Sequence, residues 1–213
     1  MIPDAAVIMA HGSPPSLPHI DQLKSSNPRT PLHVIVGADS GNGKAYDWKN
    51  SDQQLRAWWK GESERVAGEV VAILEWDTLV EKQLPDLPDD MDLAGATVIR
   101  RSSSKPKRRT PMLHPDWTPE NWWWWREEIL LEGLVGVGLV SFGCMVIRRK
   151  FLDAVCEQRW DSVFSKSIQN ELRFPSVVQG CGGRIGQIDL PGVIHKETKR
   201  TGDHGIWHAI KPD

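Results

Sequence analysis

The chain has 213 residues and a mass of 24.0 kDa, a length one hydrophobic core can cover, so a single domain over residues 1–213 is expected. With 39% hydrophobic and 25% charged residues it is neither disordered nor fibrous, and a net charge of -2 excludes a general affinity for nucleic acid. Cys144, Cys156 and Cys181 are odd in number and widely spaced. They complete neither a disulfide framework nor a zinc pattern, which suits a reducing, cytoplasmic setting. The opening Met1-Ile2-Pro3-Asp4 lacks the basic start and apolar run of a secretory signal, so none is expected.

Ala5 to Met9 is a short apolar run closed by His11-Gly12-Ser13-Pro14-Pro15, and Leu32 to Val36 is a second closed by a Gly/Asp/Ser/Asn cluster. Both predict buried strands. Leu17 to Ser25 between them is long enough for a helix, so the chain opens strand, helix, strand, the start of a parallel sheet. Asp52 to Lys60 carries Leu55, Trp58 and Trp59 at helical spacing, and Val70 to Leu74 predicts a third buried strand. Ala96 to Ile99 predicts a fourth. Arg100 to Thr110, with six basic residues, three serines and a proline, predicts a solvated surface loop.

Thr118-Pro119-Glu120 is a helix start, with a capping hydroxyl, a proline at the first helical position and an acid near the positive helix end. The helix would carry Trp122 to Trp125. Successive helical positions lie about 100° apart, so these four rings cannot all face one core. Tryptophans in such a cluster fill cores or stack on the faces of sugars. Ile129 to Ile147 is apolar over about the length of a membrane span and is followed by Arg148-Arg149-Lys150. Glu132 and four glycines break it, so a buried helix end and a buried strand over Leu134 to Ser141 are expected instead of a membrane helix. Ile147 to Cys156 predicts a helix. Asp161 caps another reaching Leu172, which Pro175 interrupts, and the Gly-rich stretch 180–186 leads into a short strand and a polar tail.

Gly37 to Lys44 follows a strand and has the look of a phosphate-binding loop. Counted from Gly37, Asn42 takes the position of the second glycine, and counted from Lys44, Ala45 stands where the hydroxyl must be, so neither alignment gives that motif. Glu75-Trp76-Asp77 is the stronger constellation. On an extended chain both carboxylates project to one side, and two such charges about 6 Å apart repel by about 3 kcal/mol at an effective dielectric of 20. A divalent cation removes that penalty, and Mg²⁺ and Mn²⁺ prefer carboxylate oxygens. The alternative is that one acid caps the next helix.

The order Val34 to Ser40, then a helix, then Ala72 to Asp77 resembles the GT-A fold glycosyltransferases of the broad family-2 type. Gly138 to Arg148 resembles the small-residue strand and turn beside the sugar in those enzymes. Asn170 to Pro175 resembles the helix that presents the acceptor-activating carboxylate, and Gly205 to Lys211 resembles the tail whose histidine completes the metal site. The resemblance implies a three-layer, Rossmann-like α/β domain with a mainly parallel central sheet. It implies Asp39 as a nucleoside contact, and Glu75, Asp77 and His208 as ligands of Mn²⁺ or Mg²⁺, with Asp77 also facing the diphosphate. Glu171 would be the base that takes the acceptor proton in an inverting reaction. The implied partners are a nucleotide-sugar donor and a hydroxyl acceptor, with no nucleic acid and no membrane span. Two departures stand out: the first acid of the motif is Glu75 rather than an aspartate, and the first strand ends in His11-Gly12-Ser13.

Two other readings remain open. Met9 to Ser13 resembles the opening of small tetrapyrrole metal chelatases, in which His11 would receive the metal or a pyrrole proton. A non-catalytic domain could bind glycans on its tryptophan-rich surface, leaving the acids to structure. In that case Glu171 is a surface carboxylate paired with an arginine of its own helix, and His208 a hydrogen-bonded tail side chain.

Overall fold

A computed structural model describes residues 1–10, 17–36, 51–95, 140, 143–157, 170–185, 193–194 and 205–207. Its central sheet has the order β2-β1-β3-β6-β5, built from β1 (Ala5–Ala10), β2 (Leu32–Val36), β3 (Val70–Glu75), β5 (Leu93–Gly95) and β6 (Cys144–Arg148). β1 lies parallel to both β2 and β3, in the register Met9↔Ile35 and Met9↔Glu75. β6 runs antiparallel to β3 and to β5, so it alone is reversed and the sheet is mainly parallel, as expected.

The three central strands are apolar on both faces because both faces are covered. On one, Val7, Met9, Val71, Ile73, Met145 and Ile147 pack with residues of α2 (Ser51–Glu62), α3 (Arg149–Glu157) and α4 (Asn170–Gly180). On the other, Ala6, Ile8, Ala72, Leu74 and Val146 pack under Leu23 of α1 (Leu17–Ser26), Leu84, Leu87, and Val80 and Ile206 of a small second sheet. That sheet has the order β4-β8-β7, from β4 (Leu79–Val80), β7 (Val193–Ile194) and β8 (Ile206–Trp207). The expected three-layer α/β architecture is the one observed.

The directions of the helices follow from their contacts. His33, early in β2, meets Trp58, late in α2, with ring centroids 5.9 Å apart, so α2 runs against the parallel strands and starts at their C-terminal edge. Cys156 near the end of α3 accepts a hydrogen bond from Arg56 Nε at 3.1 Å, and Asp153 accepts one from Trp59 Nε1 at 2.7 Å, so α3 runs against α2. α4 ends near the start of β5, where the Asp92 and Leu93 N–H groups donate to the Arg184 carbonyl. Its C-terminus is closed by Gly182 at φ 83, with Gly183 N–H donating to Val178 O and Gly182 N–H to Gln179 O. This is the paired-carbonyl helix end that glycine favours, because a left-handed residue there carries no Cβ penalty.

Two local expectations are corrected. The helix expected from Ile147 begins at Arg149, because Ile147 and Arg148 pair with Val71 and Val70 and so belong to β6. Pro175 does not end a helix but lies inside α4. In keeping with the expectation against a membrane helix, the apolar run 129–147 does not continue as one helix, since Cys144 to Ile147 form a strand in the central sheet. Among the described residues no helix is long and apolar enough to cross a membrane. The expected strand 96–99, the basic loop 100–110, the helix from Thr118 and its tryptophans lie outside the described residues, as does all of the strand expected over 134–141 except buried Val140.

Candidate active site

Open α/β sheets bind ligands at the C-terminal ends of their parallel strands, and Glu75 and Asp77 lie at that edge. Glu75 is the last residue of β3, opposite Met9 of β1. The extended path expected to carry Asp77 to the same side ends there. Thr78 N–H donates back to the Glu75 carbonyl at 3.1 Å, which puts Trp76 and Asp77 at the two central positions of a tight turn. The physical cause is Gly143: its carbonyl accepts the Thr78 hydroxyl at 2.5 Å and the Glu75 N–H at 3.4 Å, pulling the chain round at the start of β6. Glu75, Trp76 and Asp77 are all half-buried, while Thr78 is 6% exposed.

The chain leaves this turn as β4, whose Leu79 pairs with Trp207 of β8. Trp207 is buried, and its Nε1 donates to Glu81 Oε2 at 3.2 Å. Gly205 ahead of it holds φ 87 and accepts the Glu81 N–H at 2.7 Å; a Cβ there would lie 2.4 Å from the Lys82 side chain. The residue before His208 is thus fixed on the strand that neighbours the exit from the Glu75–Asp77 turn. His208 itself lies outside the described residues, as do Asp39, three residues beyond the end of β2, and His11.

Glu171 is the second residue of α4; its backbone is described and its side chain is not. Two residues on, Arg173 is wholly buried and donates from Nε and Nη2 to the two oxygens of Asp52, the second residue of α2. Because α2 starts at the C-terminal edge of the sheet, this fork places the first turn of α4 at that edge too. Burial pushes the Asp52 carboxyl above the usual carboxylate range, against the opposing pull of the Arg173 guanidinium and the Gln53 N–H. Sequence reading missed this pair. Its one local signal is an arginine in the first turn of a helix, where the positive end of the dipole disfavours it.

The ligand chemistry of the edge is that of two carboxylates on one turn, an oxygen donor set that suits Mg²⁺ or Mn²⁺ and not a thiol-seeking metal. Among the described residues no group of three histidine, cysteine or acidic side chains could hold a metal ion, so a third ligand would come from elsewhere in the chain.

The whole chain overlays a glycosyltransferase involved in the glycosylation of the major capsid of PBCV-1, at a TM-score of 0.54, covering 99% of this chain and 95% of that one. The fold is a glycosyltransferase fold. Sequence identity over that overlay is 10%, so the likeness is one of fold alone. The galactosyltransferase LgtC, solved in complex with donor and acceptor sugar analogs, gives a TM-score of 0.47 at 13% identity over 97% of this chain and 87% of that one. A197 from STIV gives 0.43 at 14% identity over 87% and 80%. No protein-family model matches the sequence, and no curated protein matches it.

Proposed function

We propose that this chain is a metal-dependent glycosyltransferase that moves a sugar from a nucleoside-diphosphate donor to a hydroxyl acceptor. One observation carries the reading: in a glycosyltransferase fold, the C-terminal edge of the sheet gathers the Glu75–Asp77 turn, the strand that ends one residue before His208, and the first turn of α4 with Glu171. These segments are far apart in sequence, and two of them carry acids while the third leads into a histidine.

In this reading Glu75, Asp77 and His208 hold Mn²⁺ or Mg²⁺ against the diphosphate, and Asp39 contacts the nucleoside. The cation supplies positive charge to the leaving phosphate when bound. Glu171 takes the acceptor proton, which favours direct displacement with inversion at the anomeric carbon. The half-burial of Glu75 and Asp77 supports this role, since carboxylates partly withdrawn from water gain most from a counter-charge.

Thermal shifts with a panel of nucleotides and nucleotide-sugars, each with and without Mn²⁺, test the proposal. A nucleoside diphosphate at about 100 times its dissociation constant adds about 2.7 kcal/mol, and that gain should require the metal. Stabilisation by glycans alone, indifferent to Mn²⁺, would replace the enzyme with a glycan-binding domain.

A further inference from the structure

Asp52 and Arg173 are separated by 121 residues, both have 0% side-chain exposure, and they meet through a two-point fork. Taking two such charges out of water is expensive, and well-packed apolar residues of similar volume in their place are often as stable or more so. Stability therefore does not explain the pair. Local preference explains only half of it. Asp52 suits the positive end of α2, where its Oδ1 also accepts the Gln53 N–H at 3.0 Å, but Arg173 stands in the first turn of α4 against the helix dipole. A fork differs from an apolar contact in that it is satisfied by one relative placement of its two backbones.

The turn it holds needs holding. Pro175 has no N–H to donate to the Glu171 carbonyl four residues earlier, so the first turn of α4 lacks a bond that an uninterrupted helix would have at that point. At the other end of the fork, α2 begins straight after the 37–50 segment that carries Asp39.

We propose that Asp52 and Arg173 are a positioning pair that locks the Glu171-bearing turn of α4 to the start of α2, and so sets the acceptor base relative to the donor-binding segment. Its catalytic consequence rests on the glycosyltransferase reading; the mechanical one does not. In this reading the pair acts through the placement of Glu171 and not on the reacting atoms themselves.

The test uses Asp52→Leu/Arg173→Met, which removes both charges and keeps most of the volume, and Arg173→Lys, which keeps the charge and loses the fork. Donor KM should stay within about twofold of the parent in both, while kcat falls about 10-fold or more, a split that a general loss of folded protein does not produce. Hydrogen exchange at the amides of Phe174, Ser176 and Val177 should quicken about 10-fold or more relative to those at the end of α4. Parent exchange across α4 in both variants overturns the proposal, as does a parent-like kcat in both variants once the parent is shown to transfer sugar. If the double variant does not fold, Arg173→Lys decides by the same two measurements. A parent inactive with every nucleotide-sugar sinks the enzyme reading instead, and the exchange measurement then decides the positioning role by itself.

Discussion

The hydroxyl of Thr78 donates to the carbonyl of Gly143 at 2.5 Å, joining the turn after β3 to the residue just ahead of β6. The contact is buried and spans 65 residues of sequence. Thr78→Val keeps the branched shape and deletes the donor, leaving the carbonyl with the longer Glu75 N–H contact. A buried acceptor losing its better partner costs about 1–2 kcal/mol, so the thermal midpoint should drop by about 2–6 °C, and Thr78→Ser should recover most of it. Calorimetry of the three proteins checks this, and a valine variant as stable as the parent would mean that the hydroxyl does not shape the turn. Under the proposed function the same variant should need more Mn²⁺ for half-maximal donor binding, because Asp77 sits in the loosened turn.

The first five elements of the chain were legible because β1, β2 and β3 are short apolar runs closed by turn residues, α2 carries its apolar residues at helical spacing, and the stretch between β1 and β2 has room for a helix. Val70 to Leu74 is one example, and Leu55 with Trp59 on α2 is another. The end of β6 was misread as helix because Ile147 and Arg148 owe their conformation to partners 76 and 78 residues away, Val71 and Val70, and to nothing nearby. β7 and β8 have two residues each, too short for any period to register. At the site, Glu75 and Asp77 were legible as acids at a strand end. The turn between them was not, since it depends on Gly143, and neither was the Asp52–Arg173 fork, whose members announce themselves only as a helix-start acid and a misplaced arginine.

The two described acids and the tail histidine should differ in what they contribute. Under the proposed function Asp77→Ala removes a charged ligand at a turn outside the core, so the protein should stay folded while Mn²⁺-dependent nucleotide binding is lost. On the same reading His208→Ala removes one neutral ligand and should move the Mn²⁺ midpoint by less. Calorimetric titrations with UDP or GDP check both. Parent affinity in the Asp77 variant would remove the turn from the metal site, and an unmoved midpoint in the other would remove His208.

Burial pushes the thiols of Cys144 and Cys156 up to about 12, from a usual value of 9.0. Between pH 9 and 12 the unfolded chain therefore releases protons that the folded chain keeps, and stability falls as pH rises, by up to about 1.4 kcal/mol per pH unit for each thiol. Below pH 9 both states hold the proton and the contribution is complete. Urea midpoints measured from pH 7 to 10.5 should decline less steeply in Cys144→Ala than in the parent, on top of a uniform loss from the shortened core side chain. Parallel declines would show that the thiol ionises in the folded state. Cys181 is only partly buried, and a thiol reagent at pH 8 should reach it before the other two.

Glu171→Gln separates chemistry from binding. A hydroxyl acceptor is a weak nucleophile until its proton leaves, and a positioned carboxylate taking that proton contributes about 10²–10⁴-fold. The amide keeps the size of the side chain and much of its hydrogen bonding but cannot accept the proton. The substitution lies at the second position of α4, ahead of Arg173, so the fork to Asp52 and the seating of the helix should survive it. Donor affinity in the presence of Mn²⁺ should match the parent, because the turn after β3 belongs to a different segment, while transfer falls by at least about 10²-fold. Both quantities are measured on one preparation, the first by titration and the second by product formation under saturating donor. Transfer near the parent rate would return Glu171 to an ordinary surface carboxylate and leave displacement at the anomeric carbon without its base. A joint loss of binding and transfer would instead show that the first turn of α4 carries part of the donor site.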